Sequence, residues 1–310
     1  PYPIKGWLTY KTNPMQTGAN RNKTIEMINK LDFMITIDIT MSDTACMADL
    51  VLPAPSYLER QDPLSAFLAS ASCSGVITRD PVVPALFESK PAFWIVKELA
   101  NRLELGEFFD FTMEDFRNAQ LKKIPEVAEV LKRDGVYNLE GPTYGLYKDK
   151  PFRTTSDKVE IYSTHYENIG LDPLPVYRPR KPVPENQFRM VVGRNAYITQ
   201  SASTNNALLW ELENENHLWL HPKSAGELGI ENNETVSVKS AAGAVTIKAR
   251  VTEEIRPDTV YMDTGYGVKS KGLTNIAGKG ACIAELLEDR ADAISGNMAM
   301  HETFVTVSKI

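Results

Sequence analysis

The chain is poor in cysteine, in excess positive charge and in long apolar runs, and each shortage closes a class of function. Its three cysteines, Cys46, Cys73 and Cys282, lie far apart and form no C-x-x-C pair. Neither an iron–sulfur cluster nor a structural zinc is expected from them, and they do not report the redox compartment. Free cysteines ordinarily behave as small buried apolar residues, which is the expectation for all three. A formal net charge of -6 supplies no basic face for phosphates, so no nucleic-acid partner is expected. No apolar run approaches the ~18 residues a membrane helix needs. The amino end, PYPIKGWLTY, has no charged-then-apolar export pattern. It opens on what reads as a core strand without an initiator methionine, so a start inside a longer polypeptide, or a removed native start, is expected.

What is present is an ordinary folded composition. Hydrophobic residues at 43% and charged residues at 24% suffice for a core, and 310 residues accommodate about two domains at ~150 residues each. A strand is expected from Ile4 to Tyr10, a turn at Asn13-Pro14, and a helix from about Asn20 to Leu31, where Ile25, Ile28 and Leu31 recur at helical spacing. A buried strand, Phe33 to Ile39, a short helix around Thr44 to Ala48, and a second buried strand at Leu50-Val-Leu52 follow. Crossovers of this length imply parallel pairing with right-handed connections, hence part of a doubly wound α/β sheet.

Pro53 to Pro84 is rich in Ser, Ala and Pro and reads as irregular. Helices are expected at Pro91 to Leu103 and Thr112 to Arg133, loop from Gly135 to Pro151, and a strand at Lys158 to Tyr162. The proline-stiffened run from Asp172 to Pro184 marks a domain boundary, dividing the chain into 1–184 and 185–310. Beyond it, short strands at 189–192, 218–220, 235–239, 245–251, 259–262 and 303–307, with a helix from Lys223 to Leu228, argue for a small β-barrel.

In an open α/β sheet, ligands meet the carboxyl ends of the strands. Asn13 and Asp38 both fall there. An aspartate at that place either holds ribose hydroxyls or caps the next helix. The pattern continues through Thr44-Ala45, Ala48-Asp49, Leu52-Pro53 and Glu59-Arg60. A second constellation, Gly193-Arg-Asn-Ala-Tyr-Ile-Thr-Gln-Ser-Ala-Ser-Thr-Asn-Asn206, follows the first barrel strand. Glycine permits close backbone approach, and arginine with small hydroxyls supplies donors. Alone, it would be a polar surface loop. His217 and His221, four apart on a strand, would be ~13 Å from each other at ~3.3 Å per residue, too far to share a metal. His165 and His301 are isolated and suit surface or packing roles. Gly278-Lys279-Gly280 lacks the spacing and hydroxyl of a P-loop.

Together these motifs resemble the molybdopterin oxidoreductases of the dimethyl sulfoxide reductase superfamily, in their carboxyl-terminal part. Trp219 to Ile230 with the run to Val251, and the turn Gly265-Tyr266-Gly267, resemble that superfamily's barrel domain. The resemblance implies a partial doubly wound parallel sheet followed by a double-psi β-barrel. It implies molybdopterin guanine dinucleotide with molybdenum as cofactor, with Asn13, Asp38 and Arg60 at a guanosine end. It extends cofactor contact to Thr44, Asp49, Gly193, Arg194, Asn195, Tyr197, Thr199, Ser203, Asn205 and Tyr266. Where many relatives carry histidines in the loop, this chain has Ile198 and Gln200, so no proton-transfer role is carried over.

Within the superfamily, residues 33–63 and 88–105 resemble polysulfide and thiosulfate reductase catalytic subunits, although an E-G-R motif of other branches is replaced by Gln61-Asp-Pro. The resemblance thus implies reduction of a sulfur–sulfur bond in anaerobic respiration. The metal ligand and a [4Fe-4S] cluster would lie in a missing amino-terminal part of the same polypeptide. An iron–sulfur electron-transfer subunit, a membrane anchor subunit and a periplasmic location are implied with it. Another oxyanion such as tetrathionate or arsenate, and a cofactor-free structural relative in a respiratory complex, remain alternatives.

Overall fold

The computed structural model describes residues 2–70, 73–122, 124–138, 151–292 and 294–310. Strand β1 (Gly6–Tyr10) leads through the single turn α1 (Pro14–Thr17) and α2 (Arg21–Ile28) to β2 (Phe33–Asp38). A short 3-10 turn at Ala45–Met47 then precedes β3 (Leu50–Pro53). The three strands pair parallel in the order β1-β2-β3, as the crossover lengths require. Helix α2 starts where Asn20, in the left-handed region, accepts a hydrogen bond from Lys23 N at 3.1 Å, a side-chain cap for an otherwise orphan amide. Met15, Ile28 and Met34 bury together with Trp7 and Ile25 against one sheet face. The opposite face keeps Leu8, Tyr10, Phe33 and Leu50 exposed.

Two expectations for the middle of the chain are corrected. Residues 62–79 are not irregular: β4 (Asp62–Ser70) and β5 (Cys73–Arg79) pair antiparallel, and β6 (Val136–Asn138) adds to β5. The Ser/Ala-rich sequence hides these strands because β-propensity reflects packing on a surface supplied by distant chain. The alternation at Lys158 to Tyr162 is not a strand. It finds no ladder partner among the described residues, Val159 and Ile161 are exposed, and Glu160 instead accepts from Ser156 N and Oγ at 2.9 and 2.8 Å.

Helix α3 (Ala92–Arg102) matches expectation, whereas 112–133 splits into α4 (Met113–Leu121) and α5 (Pro125–Asp134). Pro125 disfavours helix at Ile124, which sits at φ -140° and ψ 60°. Thr112 and Asp115 form a reciprocal capping box on α4. Most of the expected loop, 139–150, lies outside the described residues. A short α6 (Thr164–Asn168) follows.

The last third forms a closed barrel. Its strands are β7 (Phe188–Gly193), β8 (Leu218–Leu220), β9 (Thr235–Lys239), β10 (Ala244–Val251), β11 (Thr259–Asp263) and β12 (Phe304–Lys309), with α7 (Ala207–Trp210) and α8 (Pro222–Leu228) in connections. The order is β10-β8-β11-β7-β12-β9, with β7·β11 and β8·β10 parallel. Inward residues such as Met190, Leu218, Val236, Val238, Val260 and Met262 are fully buried. His221 caps α8, accepting from Lys223 N at 3.1 Å, and His301 Nδ1 accepts from Val192 N at 3.2 Å.

By packing, the chain divides into two compact units: 1–54, 88–92 and 182–310 in one, 55–87 and 93–181 in the other. This partition differs from a single cut near 184, because the three-stranded sheet and the barrel pack as one unit. No helix among the described residues is long and apolar enough to cross a membrane.

Candidate cofactor-binding site

The carboxyl ends of β1 and β2 define an edge, and its donors and acceptors are already ordered. Asp38 Oδ1 accepts from Ile39 N at 2.7 Å and Thr40 N at 3.3 Å, while Oδ2 accepts from Ser42 Oγ at 2.7 Å. The aspartate therefore organises the turn after its own strand, and its side chain remains partly accessible. Asn13 precedes α1 without capping it through its side chain. That leaves its amide free to receive Thr44 Oγ1 on Oδ1 at 2.7 Å and to donate from Nδ2 to Ser201 Oγ at 3.3 Å. A single side chain thus joins the sheet edge to the loop after β7, 188 residues away in sequence.

That loop is folded rather than trailing. Asn195 Oδ1 accepts from Tyr197 N at 2.8 Å, and Ser203 Oγ accepts from Thr199 N at 2.7 Å. Asn205 pairs with Asn275 through Oδ1 and its carbonyl at 3.0 and 2.8 Å. Ile198 anchors it in a small core with Tyr266, Val268, Leu273 and Ile276. Arg194 and Tyr197 are exposed, and the Arg194 guanidinium makes no ion pair among the described residues.

The structure separates several expected contact residues from this edge. Thr44 is fully buried and serves Asn13 rather than facing outward. Asp49 sits at the amino end of β2, where its carboxylate accepts from Met34 N at 2.7 Å and its own N–H returns to Met34 O at 3.0 Å. Tyr266 is fully buried, its hydroxyl donating to Glu213 O at 3.4 Å, so it is core rather than an exposed platform. Burial, with the charges of Glu213 and Asp263, raises its pKa. Gly193 ends β7, and what approaches it is this protein's own ring. An added Cβ would lie 2.1 Å from Tyr261, whose hydroxyl donates to Asp263 Oδ1 at 2.5 Å.

Arg60 belongs to the other unit, and its fork is engaged there. Nε donates to Asp62 Oδ1 at 2.8 Å and Nη1 to Pro55 O at 2.7 Å, while Asp62 also pairs with Arg79 at 3.2 Å. Of the cysteines, Cys282 is buried as expected but Cys46 is exposed. The Cys46 thiol donates to Ser270 Oγ at 3.3 Å. The Cys73 side chain lies outside the described residues.

Sequence reasoning passed over a buried polar cluster beside the edge. Asp43, 4% exposed, accepts from Arg21 Nη2 at 2.5 Å, Gln16 Nε2 at 3.3 Å, Lys269 N at 3.0 Å and Ser270 N at 2.7 Å. Burial pushes its pKa up, but hydrogen bonds from Arg21, Lys269 and Ser270 together with the Arg21 charge outweigh it and hold the carboxyl below its usual range. The available signal was position: Asp43 stands inside the same Met41-Ser-Asp-Thr-Ala45 run as Thr44.

The donor set at the edge suits a nucleotide diphosphate. A strand-end carboxylate can accept from ribose hydroxyls or from the N–H edge of a guanine, and an unpaired planar guanidinium suits paired donation to phosphate oxygens. The comparisons agree. Residues 1–102 match the molybdopterin oxidoreductase family model, and residues 188–304 match the molydopterin dinucleotide binding domain. The thiosulfate reductase molybdopterin-containing subunit PhsA of Salmonella typhimurium is 29% identical, covering 100% of this chain and 44% of that protein. Dimethyl sulfoxide reductase DmsA of Escherichia coli is 27% identical, covering 99% and 42%. The solved acetylene hydratase from Pelobacter acetylenicus shares the fold, with a TM-score of 0.81 at 23% identity over 100% of this chain and 45% of that one. The chain thus spans less than half the length of these relatives. By its two matched segments, the chain belongs to the molybdopterin oxidoreductases, and its barrel is their dinucleotide-binding domain.

Proposed function

We propose that this chain anchors the nucleotide of molybdopterin guanine dinucleotide in a molybdenum oxidoreductase that reduces thiosulfate or polysulfide. The observation that carries the anchoring is the Asn13 side chain, which ties the strand edge bearing Asp38 to the Arg194 loop. The sulfur substrate is supported by the similarity to a thiosulfate reductase subunit along the whole chain. When bound, the cofactor supplies two-electron chemistry at molybdenum. The chain's own part is to hold it: Asp38 as acceptor for ribose or guanine, Arg194 as donor to phosphate, and the 194–206 loop as a cover ordered by its own hydroxyl and amide bonds. In this reading, residues 1–184 are a partial α/β oxidoreductase domain and 185–310 the dinucleotide-binding domain. The metal ligand and a [4Fe-4S] cluster belong to a further part of the polypeptide, with an iron–sulfur subunit and a membrane anchor as partners on the periplasmic side.

Two measurements test this. For the native protein captured from its source, we expect a much longer polypeptide carrying molybdenum and iron. A native chain of this size without either metal would sink the enzyme reading. With that native enzyme and a reduced viologen as donor, thiosulfate or polysulfide should be turned over faster than tetrathionate, arsenate or dimethyl sulfoxide. Preference for one of the latter would replace the substrate assignment.

A further inference from the structure

We infer that Asp43 is a positioning residue for the dinucleotide site, setting the gap between the strand edge and the loop after β7. This rests on the anchoring reading above. Contacts around Asp43 close into a ring. Asp43 precedes Thr44, whose hydroxyl holds Asn13, and Asn13 holds Ser201. The Gln200–Ser201 backbone abuts the turn at Gly265, where an added Cβ would lie 2.4 Å from Gln200 O. From that turn the chain runs to Lys269 and Ser270, whose amides both donate back to the Asp43 carboxylate. The Ser270 hydroxyl donates to Met41 O, a second tie beside the first.

A further link reaches α1 directly. Gln16, 2% exposed, donates to Asp43 at 3.3 Å and accepts from the Cys282 thiol at 3.5 Å. Asn13, three residues earlier, is therefore held from both sides. Arg21 supplies the countercharge. It is 2% exposed, gives Nη2 to Asp43, and keeps Nε 3.9 Å from Glu285 Oε1, beyond hydrogen-bonding distance. Its Nε and Nη1 find no hydrogen-bond partner among the described residues. Asp43 is the nearer of the two carboxylates that pair with this buried guanidinium, and the pairing fixes Asp43 in return, since an unpaired buried charge is strongly disfavoured. The carboxylate touches no ligand position itself; it supports the groups that do.

The test uses the full chain and GDP as probe, titrated calorimetrically. Asp43→Asn should weaken GDP binding about tenfold or more, as loss of a supporting partner commonly does. Val238→Ala, a barrel-core control that also lowers the melting temperature, should leave the affinity within about twofold. Ser201→Ala should weaken binding in the unaltered chain but add little on top of Asp43→Asn, because both cut the same ring. Should Asp43→Asn not fold, Thr44→Val cuts the adjacent link at nearly constant volume and must weaken GDP in the same way. GDP affinity unchanged in Asp43→Asn or Thr44→Val, or weakened no more than in Val238→Ala, overturns the inference. So do independent, multiplying effects of Asp43→Asn and Ser201→Ala. No GDP binding by the unaltered chain overturns this inference and the anchoring reading together.

Discussion

At the scale of single residues, the energetics concentrate in Asp43 and Arg21. Removing one partner of a buried, hydrogen-bonded ion pair typically costs ~3–5 kcal/mol, and both side chains here are 2% exposed. Asp43→Ala is therefore expected to lower stability by about that amount in denaturant titration, more than any exposed pair such as Lys5–Asp32 could contribute. The effect also has a definite pH window. The folded carboxyl is depressed below its ordinary value, so its contribution is complete above ~4 and drains away as pH falls from there through the folded pKa. The melting-temperature gap between the unaltered chain and Asp43→Asn should be widest near neutrality and narrow below pH ~4. A gap unchanged far into acid would count against the clamp. Thiol labelling gives an independent reading: Cys46 is exposed and Cys282 buried, with burial raising the Cys282 pKa against the opposing pull of Arg21. Peptide mapping after brief maleimide treatment should find Cys46 modified well ahead of Cys282, and equal rates would show that the 264–287 segment opens readily.

At the scale of elements, the end of β7 shows why a glycine in a binding motif need not be there for the ligand. Tyr261 is set by its own strand, its contact with Trp219 at 4.8 Å between ring centroids, and its bond to Asp263. The space a Cβ would need at Gly193 is already filled. Gly193→Ala should cost ~1–3 kcal/mol through overpacking, and should cost less when introduced into a Tyr261→Ala background than into the unaltered chain. Equal stability of Gly193→Ala and the unaltered chain would mean the ring is free to move aside. The loop that follows was legible as a polar, donor-rich segment. Its dependence on Ile198 as an apolar anchor was not, because the residues that bury Ile198 come from 266–276.

At the scale of the molecule, the closed barrel and the open three-stranded sheet should differ in cooperativity. Barrel strands have both neighbours and an apolar interior, whereas among the described residues β1 is an edge strand, and its residues Leu8 and Tyr10 are exposed. Native-state hydrogen exchange should protect amides of β9 and β11 longest and release those of β1 first. Slower exchange in β1 than in the barrel would contradict this order.

The sequence by itself determined the local alternation of strand and helix in 1–54, the parallel pairing, the barrel beyond 185, and the family. These follow from periodicity, crossover length and motif residues close together along the chain. The positions of Asp38 and Asn13 at strand ends were legible for the same reason: a strand end is a local property. The tertiary structure alone decided which residues face the edge and which only support it. Thr44 and Tyr266 are enclosed, Asp49 lies at the other strand end, and Arg60 is engaged within its own unit. It also decided the Ser/Ala-rich hairpin of β4 and β5 and the Asp43 clamp. The clamp draws on partners 22 to 227 residues away, and the third strand beside the hairpin, β6, comes from 136–138; neither propensity nor spacing carries information about a contact that exists only once the chain has closed on itself.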